Sequence, residues 1–180
     1  EGSASSLNTA SSCQLCEAGR FANVTGFSNC VQCSPGSISA SNGATSCTLC
    51  PAGTSQSAPG ISQCVQCPAG RSTNNQTGAV QCTECGQGAY SAGAGSARCT
   101  KCEPGRANSK SVVTICDQCE AGKFANTSGL VDCVSCDAGY FASSRGSTGC
   151  EACPVGQSSS GGAASCSLCR PGESTDNATA

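Results

Sequence analysis

The residues of this 180-residue chain that could do chemistry are its cysteines. Twenty of them form ten Cys-x-x-Cys pairs, from Cys13/Cys16 to Cys166/Cys169. A thiolate can be a nucleophile, a soft metal ligand or half of a disulfide, so the spacing admits three chemistries. Zinc held by four cysteines would use two pairs per site and consume the ten pairs in five sites. A redox Cys-x-x-Cys is one tuned site beside a βαβ unit, and ten copies without that setting do not look like it. Disulfides are the third possibility. Cysteine makes up about 11% of the chain, above the roughly 8–10% that marks a disulfide scaffold.

The remaining composition removes other functions. There is no His, Trp or Met, and only four Phe and two Tyr. Without His the commonest general base and metal ligand is missing. The acidic residues are scattered, and no nucleophile has a His or Lys beside it, so no enzyme is expected. Nine basic against eleven acidic residues form no basic cluster, which argues against nucleic acid and anionic membrane. No apolar run approaches the roughly 18 residues of a membrane span; Val112–Ile115 is among the longest. The hydrophobic fraction of 37% counts the cysteines and many alanines. Large side chains for a single apolar core are lacking.

What must position the cysteines is a repeat. Successive pairs lie 17 residues apart, with one step of 18 (Cys64 to Cys82) and one of 16 (Cys150 to Cys166). Fixed-period self-similarity marks a stacked array. A glycine stands three residues after the second cysteine of all ten pairs, from Gly19 to Gly172. The spacing predicts a turn with positive φ there. Pro35, Pro104 and Pro171, each directly before the glycine, fit a type II turn. A second glycine follows seven residues later in most repeats, as at Gly26, Gly43, Gly60, Gly95, Gly129 and Gly146. Between the turns runs a short extended piece such as Arg20-Phe21-Ala22, hairpin-like but too short to stand alone. Phe21, Ile38, Tyr90, Phe124 and Phe141 share one slot five residues after the second cysteine. They are expected to be small plugs on neighbouring disulfides rather than a ligand-binding stripe, because other repeats place Ser there.

The expected fold is therefore small and disulfide-rich. It is an elongated solenoid of about 17-residue repeats, with short β-hairpin-like pieces, turns and little helix. The tandem repeats cover 13–168, with partial repeats at 1–12 and 169–180.

Two disulfide schemes fit such an array. Neighbouring pairs could cross-link first to third and second to fourth, making five larger modules. Alternatively the second cysteine of each pair bonds the first of the next: Cys16–Cys30, Cys33–Cys47, Cys50–Cys64, Cys67–Cys82, Cys85–Cys99, Cys102–Cys116, Cys119–Cys133, Cys136–Cys150 and Cys153–Cys166. The second scheme treats all repeats alike, as the sequence does, and it is preferred. Each loop would then contribute roughly 3 kcal/mol through chain entropy, which can stand in for the missing core. Cys13 and Cys169 are left without partners in that scheme. Glu1-Gly2 matches the middle of a turn, and Cys169-Arg170-Pro171-Gly172 opens a further repeat. A longer array is the expectation.

The pattern Cys50-Pro51-Ala52-Gly53-Thr54-Ser55, then Gly60, then Cys64-Val65-Gln66-Cys67, resembles the cysteine-rich repeats of ephrin-receptor-like extracellular regions. It is also similar to the single-disulfide modules that begin tumour-necrosis-factor-receptor repeats. That likeness implies the Cys16–Cys30 style of pairing. Such repeats occur in receptors, in protist surface antigens and in filament proteins resembling mastigonemes. The chain departs from receptor modules in its monotony.

Four Asn-x-Ser/Thr sequons begin at Asn23, Asn75, Asn126 and Asn177, at spacings of 52, 51 and 51 residues. Three repeats separate each from the next, and all four sit in nearly one slot beside the second turn. They are expected to be glycosylated. Covalent N-glycans are the non-protein groups expected; the abundant Ser and Thr either carry O-glycans or simply solvate the rod, and no cofactor or metal is expected. The expected function is a structural repeat region of an extracellular, glycosylated filament or surface coat. Its partners would be further copies or other filament subunits. The alternative is the stalk or ligand-binding ectodomain of a cell-surface receptor or protist surface antigen.

Overall fold

The computed structural model describes residues 3–4 and 12–175. The described residues contain no helix; their regular structure is twenty two-residue strands paired as ten antiparallel hairpins. The chain divides into two compact units. Residues 1–85 with 91–99 form the first, and 86–90 with 100–180 form the second.

One hairpin shows how the repeat is made. Gly19 has φ +86°, and the Arg20 N–H donates to the Glu17 carbonyl over 3.0 Å, closing the turn. The chain then runs extended through Arg20–Phe21, which pairs with Val31–Gln32: Arg20 opposite Gln32 and Phe21 opposite Val31. The partner strand is thus the dipeptide between the next two cysteines. The Cys33 N–H donates to the Gly19 carbonyl over 2.9 Å and ends the ladder. This register recurs from Ser3 opposite Leu15 to Gln157 opposite Leu168. A two-stranded ribbon of this length is not stable by itself. It persists through the staple and through neighbouring repeats.

The neighbours attach by backbone groups. In the first unit, the Gly19 N–H donates to the Ser39 carbonyl (2.8 Å) and the Gly36 N–H to the Gln56 carbonyl (2.7 Å), each in the next repeat. The carbonyl of Cys16 accepts from the Gly43 N–H (2.7 Å), and that of Cys33 from the Gly60 N–H (2.9 Å). The second unit repeats both bonds: Gly105 N–H to the Ala125 carbonyl, and Gly129 N–H to the Cys102 carbonyl, both at 2.8 Å. First-turn glycines also lie against second-turn glycine carbonyls two repeats on, Gly36 on Gly78 and Gly122 on Gly162. A side chain at those points would collide with backbone.

The core is narrow and made of small groups. Its largest fully buried side chains are chiefly second cysteines of the pairs, 0% exposed from Cys16 to Cys102. Beside them lies a column that the repeat pattern did not reveal, six residues after that cysteine. Each unit has its own, Ala22, Ser39, Gln56, Thr73 and Ser91 in the first and Asn108, Ala125 and Ala142 in the second, each no more than 8% exposed. The polar members stay dry by bonding backbone. Asn108 Nδ2 donates to the Ala89 and Lys110 carbonyls, and its Oδ1 accepts from the Lys110 N–H.

The two irregular steps keep the same bonds. In the 18-residue repeat, Asn74 and Asn75 take φ +51° and +62°, a region that asparagine tolerates. This turn absorbs the extra residue, so the Gly78 N–H still reaches the Cys50 carbonyl at 2.7 Å. In the 16-residue repeat, Gly162 reaches Cys136 at the same distance.

A third irregularity carries strain. Val112 stands seven residues after Gly105, in the second-turn glycine's place, at φ +58°. A β-branched side chain in left-handed backbone costs on the order of 1–2 kcal/mol. Val112 is 39% exposed, so little packing depends on it. Val112→Gly is expected to raise stability by about 0.5–1 kcal/mol, the strain relieved less the entropy that glycine loses on folding. Denaturant midpoints of the oxidised proteins, at unchanged m-value, measure it; an earlier midpoint for the glycine variant would contradict it.

Candidate functional site

The structure holds nine disulfides, each joining the second cysteine of one pair to the first of the next. They are Cys16–Cys30, Cys33–Cys47 and Cys50–Cys64; Cys67–Cys82, Cys85–Cys99 and Cys102–Cys116; and Cys119–Cys133, Cys136–Cys150 and Cys153–Cys166. Cα–Cα distances run from 5.6 to 5.8 Å, within the relaxed range. These eighteen sulfurs are bonded to one another. Cys13 and Cys169 are free, Cys13 being exposed.

The staples are asymmetric. The opening cysteine of each loop from Cys16 to Cys136 is buried, Cys153 is half-exposed, and the closing cysteines lie at the surface margin. Cys116, 2% exposed, is the buried exception among the closing cysteines. Arginines cover some of the closing half-cystines. Arg20 Nη1 donates to the Cys30 carbonyl at 3.2 Å, Arg71 Nη1 to that of Cys82 at 3.4 Å and Arg106 Nη1 to that of Cys116 at 2.7 Å. Arg71 also pairs with Glu84 across its hairpin at 2.6 Å, an exposed contact worth little.

The aromatic slot belongs to the same arrangement. Where it holds serine, Ser55 Oγ lies 3.3 Å from Cys82 Sγ, and Ser72 Oγ is equally close to Cys99 Sγ. The slot therefore sits on the closing sulfur of the following repeat. Tyr90 and Cys116 line one small recess with Glu103, Arg106 and Ile115. Phe21, Ile38, Tyr90, Phe124 and Phe141 are all half-buried in their hairpins. They plug rather than project.

Three sequon asparagines, Asn23, Asn75 and Asn126, are exposed on the segments that leave the buried columns for the second turn. The fourth, Asn177, lies outside the described residues.

This geometry is a staple-and-turn unit copied along the chain. Two stretches of it, residues 36–81 and 122–161, match the family described as tyrosine-protein kinase ephrin type A/B receptor-like. Those two stretches are ephrin-receptor-like cysteine-rich repeats. No curated protein matches it.

The matched stretches and the density of disulfides point to an extracellular, receptor-like repeat region, and domains of the matched family are generally non-enzymatic. Its staples are its chemistry: they hold backbone turns in place. Among the described residues no helix is long and apolar enough to cross a membrane.

Proposed function

We propose that the chain is a shaft segment of an extracellular filament or surface coat, built by stacking one staple-and-turn unit without interruption. The observation that carries this is the uniformity of the inter-repeat bonds within each unit. Glycine N–H groups reach the inner half-cystine carbonyls at 2.7–2.9 Å from Gly43 to Gly95 in the first unit and from Gly129 to Gly162 in the second, the 18- and 16-residue steps included. Stacked repeats that touch only near neighbours give length without a large core, and open-ended repetition suits fibres. The surface is bland as well: no Asp, Glu, Lys or Arg stands between Phe21 and Gly70, which leaves three repeats no means of electrostatic ligand capture.

The likeness to receptor-type repeats favours a second reading, the stalk of a cell-surface receptor or protist surface antigen. Immunogold electron microscopy of the native source separates the two. Antibody against residues 13–168 is expected to decorate regular fibres or a continuous coat. Gold dispersed singly over the cell membrane would replace the shaft with the stalk.

A further inference from the structure

The sequence offers acceptor motifs, and the structure separates the asparagines it uses from those it leaves idle. Asn108 is 5% exposed and bonds two backbone carbonyls. Asn42 Oδ1 accepts the Ala18 N–H at 3.0 Å. Asn74 Oδ1 accepts from the Ser72 hydroxyl at 3.2 Å. None of these three begins a sequon.

Asn23, Asn75 and Asn126 do begin one. Their side-chain amides make no hydrogen bond among the described residues, and neither do the hydroxyls of Thr25, Thr77 and Ser128 two residues on; all six are exposed. Each asparagine follows within two residues of a buried position, Ala22, Thr73 or Ala125. The backbone is anchored there while the amide faces outward. Space is open around the first of these turns: a Cβ built on Gly26 would meet nothing within 4 Å. At the second, the Asn75 N–H is tied to the Ala97 carbonyl at 2.7 Å, so the main chain is fixed while its side chain stays free.

We infer that Asn23, Asn75 and Asn126 are N-glycosylated, one oligosaccharide for every three repeats. The donor is a lipid-linked oligosaccharide diphosphate of the secretory pathway. The asparagine Nδ2 bonds to the anomeric carbon of the first sugar. The bond from that carbon to the diphosphate oxygen breaks, the lipid diphosphate leaves, and the amide gives up one proton. The buried columns and the disulfides are untouched, because every atom involved lies outside them. The inference rests on the extracellular setting of the repeats and needs no filament.

The test uses the whole chain secreted from a eukaryotic host and treated with a peptide-N-glycan amidase in ¹⁸O water. Labelled aspartate is expected at positions 23, 75 and 126, with Asn42, Asn74 and Asn108 unlabelled. Thr25→Val, Thr77→Val and Ser128→Ala, which keep the asparagines, should each remove one mobility step on a denaturing gel. A secreted, fully oxidised chain with positions 23, 75 and 126 all unlabelled would overturn the inference and leave the shaft proposal standing. Loss of more than one mobility step from a single hydroxyl variant would overturn the assignment of one glycan to each site.

Discussion

Gly122→Ala is expected to cost about 2–5 kcal/mol and to melt its stretch of the array. Two terms add. Gly122 sits at φ +84°, where an alanine pays about 1–2 kcal/mol for left-handed backbone. The new Cβ would also overlap the Gly162 carbonyl oxygen and lie 2.7 Å from its carbon. That neighbour is backbone, held by the Gly162 N–H bond to the Cys136 carbonyl, so it cannot swing aside as a side chain could. Overpacking of this kind adds typically 1–3 kcal/mol. Gly26→Ala supplies the control, because Gly26 has φ +76° with open space around it. Only the first term applies there, about 1–2 kcal/mol. Chemical denaturation of both variants, with amide exchange over residues 119–163, reads the difference. Equal losses in the two would show that the close approach of Gly122 to Gly162 does not matter.

That pair also marks how far the sequence could be read. The first-turn glycines are visible because every repeat has one, and positive φ is sufficient reason for them. The second reason, a carbonyl from two repeats away, has no local signature; it depends on how successive hairpins stack. The same holds for the buried columns, Ala22 to Ser91 in the first unit and Asn108 to Ala142 in the second. Their members include Ala, Ser, Thr, Gln and Asn, so no hydrophobic periodicity betrays them. What they share is a backbone position, and polar side chains are admitted wherever they can bond a nearby carbonyl, as Asn108 does. The partner strand was hidden for a different reason. Between two cysteines stand only two residues, as varied as Val31-Gln32 and Glu151-Ala152, and no propensity can assign a strand that short. The staples behave oppositely. Cysteine identity and spacing are in the sequence, and loop closure is a local geometric problem. Two pairings fitted that spacing, and the geometry holds the one that repeats every 17 residues. The sequons were equally visible, but their exposure and idle amides were not, since both depend on where the chain leaves the core.

The buried Cys102–Cys116 staple should be the most consequential to remove and the slowest to reduce. Its two cysteines are 0% and 2% exposed, whereas each other disulfide has at least one half-exposed member. Its sequence separation of 14 gives about 3 kcal/mol of loop entropy. A Cys102→Ala/Cys116→Ala protein loses that and the packing of two buried sulfurs as well. The damage should stay with nearby repeats, because stacked arrays share energy mainly between neighbours. Reduction follows a different rule from stability. A thiolate must reach a sulfur in line with the bond it breaks. Cys153–Cys166, with neither sulfur buried, offers that approach from either side. At Cys116 the way is narrowed by Tyr90, Ile115 and Arg106, which line the same recess. Local opening must come first, and an opening cost of about 1.4 kcal/mol already slows reduction tenfold. Once the free Cys13 and Cys169 have been alkylated, graded reduction with a small thiol, a second alkylation and peptide mapping should therefore find Cys153 and Cys166 modified first among the disulfide cysteines and Cys102 and Cys116 last. The reverse order would mean that access to sulfur does not govern how this array comes apart.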